Sequence, residues 1–482
     1  MLHAHGQSGL RPRGDVNGDW EVTVADVNAV IDSIFSGAKY HALYGYATDV
    51  NGDKEYTVAD INMIIDAIMG NELPPMPSFS GTLPVLYINT EGHHNVDSKE
   101  NYLQAQWWLD AMGIEGYQSI GSAQHPLGMQ IKGRGNSTWK ENEKKPYRLK
   151  FDEKHKVLGM PSSRHWVLLA NCNYWKGVIH DILPFEIGWR MGMSWNPRWE
   201  PVEVVLNGQY IGMYFLAEKI RVAKERVNII EQDDYETDPE RITGGWLLEI
   251  DNYNEPNQID VALGNGKKIW VTHHSPEFLS NEQRNYIKQF LDEASMALYS
   301  TDKSDRTWEQ YIDVDSIAVF YIVNEIVDNI EAFSGSCFMH KQRGENTKLI
   351  FGPLWDCCSY YRWSPSYMFN EFIYVNYPSF SAVKWIDQIV KFNHFQERVR
   401  YHWQIFYNEV YPTMDAFLDE FAARIEAGGN SDYARWQRYG ADNIPERLNL
   451  YGRPSFHKKV AWLQTQWGLD IDSPNNKMTK SD

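Results

Sequence analysis

Cysteine is scarce: Cys172, Cys337, Cys357 and Cys358 are all that 482 residues contain. Four are too few for a disulfide scaffold, and none of their spacings fits a zinc site. Cys357 and Cys358 are neighbours, so a bridge between them is strained, and buried free thiols are the expected state. Long apolar runs are missing as well. No stretch approaches the ~20 apolar residues that a membrane helix needs, so no membrane span is expected. Met1 to Arg13 lacks the apolar segment of a secretory signal peptide; the chain either stays inside the cell or begins after its signal. Basic charge is also short, with 46 Lys and Arg against 64 Asp and Glu and a formal net charge of −18. That balance argues against nucleic-acid binding, which needs a basic face for phosphate backbones. Hydrolase motifs of the Ser-x-x-Lys or Gly-x-Ser-x-Gly kind occur in no convincing context.

What the chain has in quantity is aromatic surface to bury. Nineteen Trp and 28 Tyr, within 43% hydrophobic residues, indicate a globular protein with a large core. The length allows two to four domains, or one large domain with an appendage. Against the acidic background one stretch is strongly basic. Gln130–Phe151 carries Lys132, Arg134, Lys140, Lys144, Lys145, Arg148 and Lys150. Met129–Lys132 and Pro146–Phe151 read as strands, with Gly133 and Gly135 where the chain bends between them. Such a hairpin can bring backbone N–H groups and cations to a phosphate, or can be a solvated surface hairpin.

Near the N-terminus a twelve-residue pattern occurs twice, 34 residues apart. Asp15, Asn17, Asp19, Thr23 and Asp26 stand at loop places 1, 3, 5, 9 and 12, and Asp49, Asn51, Asp53, Thr57 and Asp60 repeat them. Glu21 and Glu55, at place 7, are grouped with these ligands. Hard oxygen donors on alternate residues suit Ca2+. Each loop leads into a segment with apolar residues at helical spacing, VNAVIDSIF and INMIIDAIM. Val27, Val30, Ile31 and Ile34 are candidates for core or for a partner face.

The prolines at 74, 75 and 77 mark a semi-rigid linker. The expected division is a polar tail over 1–13, the calcium module over 14–73, the linker over 74–82, one large α+β domain over 83–465 and a polar tail over 466–482. In the large domain LPVLYINT, Trp166–Ala170 and Gly245–Asp251 read as strands. Val202–Leu206 and Tyr210–Glu218 form a hairpin closed by Asn207-Gly208. A short helix is expected over Ala105–Met112 and another over Val178–Met191. The second half turns helical over Asn281–Tyr299, Trp308–Ile312, Ile317–Val327, Val383–Arg400, Trp403–Tyr411 and Met414–Ala427. It is interrupted by one hairpin, Gly335–Lys341 with Lys348–Phe351.

The doubled loop, from Gly14 to about Leu73, resembles the type I dockerin module. That resemblance implies two bound Ca2+ ions, a cohesin-bearing partner and a cellulosome-like assembly. From Leu83 to about Leu450 the chain resembles the CotH family, spore-coat kinases with an atypical protein-kinase-like fold. The segments that carry it are IKGRGNSTW, KKPYRLKF, LGMPSSRHWVLLAN, VEVVLNGQYIGMYFLAEKI, GGWLLEID, NEIVDN, SCFMHK and LIFGPLWD. The implied fold is bilobal. The implied activity is phosphoryl transfer from ATP, with Mg2+ or Mn2+, to a protein hydroxyl.

Under that resemblance Lys132, Arg134 and Lys150 are the phosphate-facing cations, with Gly133 and Gly135 giving the backbone access. Lys150 takes the place of the strand lysine of kinases, and Glu186 is the candidate for its glutamate partner. Glu218 is either a hinge residue or a structural ion-pair residue with Lys219. Asp356 matches the metal-binding aspartate of the Trp-Asp motif, and otherwise reads as a turn or N-cap residue. Asn329 is a second metal ligand or a helix cap. Glu331 stands where many family members have Asp, and Cys357-Cys358-Ser359 replaces a second acidic residue. Trp363, Tyr367 and Tyr374 are core residues or line a substrate groove. Three functional classes follow: a secreted or surface protein kinase tethered through its dockerin, a pseudokinase-like scaffold, and a carbohydrate-active protein for which no carboxylate pair is found. Calcium dependence points to an extracellular or cell-surface location.

Overall fold

Thr23 and Thr57 start the first two helices. Each accepts a backbone N–H through its hydroxyl, and the Asp three residues on bonds back to the cap backbone, a capping box at both sites. The helices are α1 (Val24–Phe35) and α2 (Val58–Ile68). Val27, Val30, Val50 and Ile64 are their buried core, with Ile31 and Ile34 packed against it. Core use therefore claims the helix positions left open by periodicity. The computed structural model describes residues 10–40, 45–73, 78–170, 182–251, 255–357, 368–376, 385–437 and 443–468. Cys172, Cys358, Ser359, Trp363, Tyr367 and the linker prolines 74, 75 and 77 lie outside the described residues.

The chain divides into two compact units. The first comprises Met1–Trp175, Arg198–Lys219 and Ala422–Pro445. Seven strands in it close into a barrel: β1 (Val85–Thr90), β2 (Leu103–Asp110), β3 (Leu127–Gly133), β4 (Tyr147–Val157), β5 (Met160–Leu169), β6 (Trp199–Leu206) and β7 (Gln209–Glu218). The order β1-β2-β3-β4-β5-β7-β6 returns to β1 through a parallel β1–β6 pairing. Strand β2 replaces the helix expected over Ala105–Met112. Burial there alternates, with Ala105, Trp107 and Leu109 inward, and that is a period of two. Two hairpins turn on paired positive φ angles, Leu158-Gly159 (49° and 79°) and Asn207-Gly208 (52° and 75°). Trp107 stacks on Phe151 at 3.9 Å inside the barrel, in a core shared with Tyr147, Trp166 and Trp436.

The second unit comprises Lys176–Pro197, Ile220–Phe421 and Glu446–Asp482. Its sheet, ordered β12-β11-β8-β10-β9, is antiparallel throughout. The strands are β8 (Trp246–Ile250), β9 (Gln258–Ala262), β10 (Lys268–Ser275), β11 (Cys337–Lys341) and β12 (Leu349–Phe351). Strands β9 and β10 have no counterpart in the sequence reading. Numbering helices on from the one-turn α3 (Ser137–Glu141) of the first unit, they are α4 (Ile182–Arg190), α5 (Asn281–Ala297), α6 (Val314–Ile326), α7 (Asn393–Ile405), α8 (Met414–Trp436) and α9 (Arg453–Trp467). From Ala422 on, α8 belongs to the first unit. The described part of Val383–Arg400 is not one helix: a single turn, Ile386–Ile389, is followed by an extended Phe392 that starts α7. Trp308–Ile312 is reduced to a 3-10 turn over Thr307–Gln310. The Trp403–Tyr411 segment is the end of α7 running into a π turn, Phe406–Val410. The α+β class stands; closure of the strands into a barrel is what tertiary structure adds.

Candidate functional site

Three clusters hold the predicted site residues. In the first calcium loop Asp15 is buried; its Oδ1 accepts from the N–H of Gly18 and Asp19 (2.8 and 3.1 Å), and its Oδ2 from Trp20 (3.0 Å). Asp26 gathers the N–H groups of Val16, Asn17 and Thr23. The second loop repeats this with Asp49 and Asp60. Asp19 and Asp53 take the N–H of Glu21 and Glu55, and accept from the side-chain amides of Asn17 and Asn51. Among the described residues no three Asp, Glu, His or Cys side chains converge on one point. A cation here draws its remaining oxygens from Asn, Thr and the backbone, the mixed shell that Ca2+ accepts. Burial pushes the Asp49 carboxyl upward, and the charges of Asp60 and Asp53 add to this. A divalent cation relieves that cost, so the residues present fit calcium.

Because the core of this module is so small, chelation is expected to remove most of its helix signal. With EDTA, hydrogen exchange should become fast over Asp15–Leu73 while the barrel strands keep their protection. One cooperative loss of both would refute the expectation.

The second cluster lies in the second unit, after α6. Asn324 donates to Phe320 O and accepts from Asn329 Nδ2 at 2.8 Å, and Asn329 Oδ1 accepts the Glu331 N–H at 3.3 Å. Ser334 and Gly335 close a tight turn on the Glu331 carbonyl. The Asn329 side chain thus holds the turn that follows the helix. Gly352-Pro353 follows β12, and Asn196 accepts the Leu354 N–H at 3.0 Å. Trp355 stacks on Phe185, and Asp356 follows in the left-handed region at φ 51°, its side chain exposed. Burial raises the half-buried Glu331 above the usual carboxylate range, and the charge of Asp356 raises it further. Asp356 therefore lies within electrostatic range of Glu331. Cys357 is buried, with its thiol directed at Trp355 O.

The third cluster is the basic hairpin of the first unit. Lys132 pairs across the strands with Arg148, and Gln130 with Lys150. With Ile131, Leu149 and Phe151 buried, alternation puts Lys132, Arg148 and Lys150 on the outer face of the barrel. Tyr102 lies 4.9 Å under Lys132 and 6.0 Å under Arg148. Burial lowers Lys132, and Arg148 lowers it further. An anion beside them would reverse that. The turn itself is occupied: Gly133 donates its N–H to Ser98 O at 2.8 Å, a Cβ on Gly133 would meet the Trp139 ring, and Gly135 sits at φ 81° against Thr138. Arg134 donates its N–H to Pro146 O. Lys144 is not part of the basic surface; it is fully buried and paired with Asp432.

Two further candidates have local partners. Glu186, in the second unit, pairs with Arg190 one turn on at 2.6 Å. Glu218 ends β7 fully buried, and its partner is Arg198, through both backbone N–H and guanidinium at 3.1 Å. Tyr374, the described member of the aromatic trio, is half-buried; it stacks on Phe372 at 5.8 Å and packs against Tyr321, a core position.

A family model described as CotH kinase protein matches residues 131–466. The chain belongs to the CotH family. A model of the type I dockerin domain matches residues 13–69, so the CotH domain follows a dockerin in the same chain. Among curated proteins no relative matches. No described helix is long and apolar enough to cross a membrane.

Within the CotH domain, sequence reasoning missed the groups that hold the acidic turn in place. Lys459 of α9 reaches Glu325 at 3.0 Å and Asp328 at 3.2 Å, all three buried. Glu325 also accepts the Ile373 N–H. Asn196 was missed as the anchor before Asp356. No local signal marks these residues, since their partners lie more than 100 positions away.

Proposed function

We propose that this CotH chain transfers phosphate from ATP to a protein hydroxyl, and that its dockerin tethers it through a cohesin partner outside the cell or at its surface. The observation that carries this reading is the Glu331–Asp356 carboxylate pair, held by the Asn329 turn and the Asn196-anchored strand end. Phosphoryl transfer needs cations on the phosphates, a carboxylate for metal and a carboxylate near the accepting hydroxyl. Asp356, exposed and within electrostatic range of a second carboxylate, is the metal ligand; Asn329 serves as a second one only by releasing the Glu331 N–H from its amide oxygen. Glu331 accepts the hydroxyl proton; burial raises its affinity for protons, which suits it to that role. Lys132, Arg134 and Lys150 serve the phosphates, and Arg148 joins them through its register with Lys132. When bound, Mg2+ or Mn2+ supplies charge neutralisation on the transferring phosphoryl group. A bilobal kinase-like fold over residues 83–465 is part of the same proposal. Exposed Val24, Phe35, Val58, Ile65 and Met69 supply the dockerin with apolar surface for a cohesin.

Transfer from labelled ATP tests this directly. Asp356→Ala is expected to lower the rate at least about 100-fold. Wild type and variant at one common background would refute the kinase reading. The pH profile adds a sign. Glu331 is raised, so its base form is lost as pH falls through a range above that of an ordinary glutamate, and kcat/KM should fall there. Glu331→Gln should abolish that limb.

A second reading, a pseudokinase-like scaffold, is favoured by the buried Cys357 thiol beside Asp356, where a second carboxylate is common in the family. It expects no rise in melting temperature with any nucleotide–metal pair, whereas a kinase must be stabilised by its ligand.

A further inference from the structure

We infer that Arg11 clasps the first calcium loop to the barrel, making the two calcium sites of the dockerin unequal. Arg11 lies two residues before the matched dockerin segment. Its backbone N–H donates to Gly208 O at 2.7 Å, on the β6–β7 hairpin. Its guanidinium turns the other way, into the calcium loop: Nε donates to Asp15 Oδ2 at 3.0 Å and Nη2 to Asp15 O at 2.5 Å. One residue thus bonds both partners. Gly208 is the surface that receives it. A Cβ there would come within 2.4 Å of the Arg11 stem and 2.8 Å of the Trp20 ring.

The hairpin is a firm anchor. Asn207 accepts the Thr90 N–H at 2.8 Å and donates to the Thr90 hydroxyl at 2.9 Å, which ties the turn to β1. Beside the clasp a cavity of about 280 Å³ lies between Asn17 and Gly18 of the calcium loop and His93, Asn207 and Gln209 of the barrel. Gln209 Oε1 is buried at its edge without a hydrogen-bond partner among the described residues.

The clasp has an electrostatic consequence. Asp15 is the opening ligand of the first loop, and a guanidinium already sits on it. A calcium ion arriving there shares that carboxylate with a like charge. In the second loop the Arg13 guanidinium lies beside Gly52, while Asp49 itself accepts from the backbone N–H of Gly52 and Lys54. The first site therefore takes its ion more weakly than the second, and by reciprocity, once the second site is filled and the module folded, filling the first loosens the dockerin from the barrel.

Terbium luminescence separates the two sites in the full chain, because Trp20 sits inside the first loop while Lys54 holds the same place in the second. The Trp20-sensitised site should be the weaker of two classes resolved by calcium calorimetry. Arg11→Ala should tighten that site at least about fivefold and leave the other unchanged. Gly208→Asn alters no loop residue, tolerates the positive φ and displaces the clasp with its Cβ; it should tighten the same site. If Arg11→Ala leaves the Trp20 site unchanged or weaker, the clasp is refuted. If Arg11→Ala acts but Gly208→Asn does not, the barrel has no part in it, and the inference equally fails.

Discussion

Lys459→Met is expected to destabilise the second unit by about 3–5 kcal/mol, read as a lower urea midpoint at pH 7.5. The ammonium faces two carboxylates, Glu325 and Asp328, and the three side chains are no more than 2% exposed. Removing the cation leaves both acids buried and uncompensated, the costly way to break an ion pair. Phe369 and Trp462, with ring centres 5.3 and 5.0 Å from the ammonium, exclude water that would otherwise compensate. The deficit should depend on pH in a defined direction. Burial already raises Glu325, although Lys459 opposes this. Without the lysine it rises further, so the acid is neutral at low pH and charged at high pH. The deficit should therefore shrink between pH 8 and pH 5. A midpoint equal to wild type, or a deficit constant with pH, would count against the network. Because Asp328 precedes the Asn329–Glu331 turn and itself adopts φ 54°, the same variant should impair phosphate transfer if the domain is a kinase.

Lys144→Met should cost the first unit a similar amount, about 3–5 kcal/mol. Lys144 Nζ lies 2.7 Å from Asp432 Oδ1, both side chains fully buried, and also donates to Met213 O. Asp432 accepts the Met213 N–H at 2.9 Å. Gly212, at φ 105°, makes room for this, because a Cβ there would collide with the Asp432 carboxylate. The pair thus pins α8 to a β7 backbone that a side chain at Gly212 would close. Burial pushes Asp432 up to about 6, with Lys144 pulling against it. Since the folded value is raised, the contribution of Asp432 to stability is full below its unfolded value and is lost as pH rises through about 6. Loss of Lys144 enlarges that effect, so the variant should lie closest to wild type near pH 5 and furthest at pH 8. Lys144→Met combined with Asp432→Asn should recover much of the stability at pH 8. No recovery would mean that shape, not charge, dominates the site.

Local spacing was enough to read several parts of this protein from its sequence. The candidate calcium ligands repeat at intervals set by a single loop, and each Thr cap with its Asp is contained within four residues. Asn207-Gly208 specifies its turn because both residues take positive φ readily. The basic strands register as their alternation requires, with Lys132 opposite Arg148. Each of these depends on neighbours along the chain, where backbone geometry limits the outcomes.

Tertiary structure decided the rest. Leu103–Asp110, in place of the helix expected over Ala105–Met112, is a strand because β1 and β3 supply partners on both sides. Closure of the barrel depends on a β1–β6 pairing that no local pattern announces. Lys144, read as one more surface cation, is drawn inside by an aspartate 288 positions away. Glu325 and Asp328 find their cation more than 130 positions later. Glu331 and Asp356, well apart in the sequence, come within electrostatic range of each other only in the folded chain. A charge can be seen in a sequence, but its partner and its exposure are properties of the folded chain.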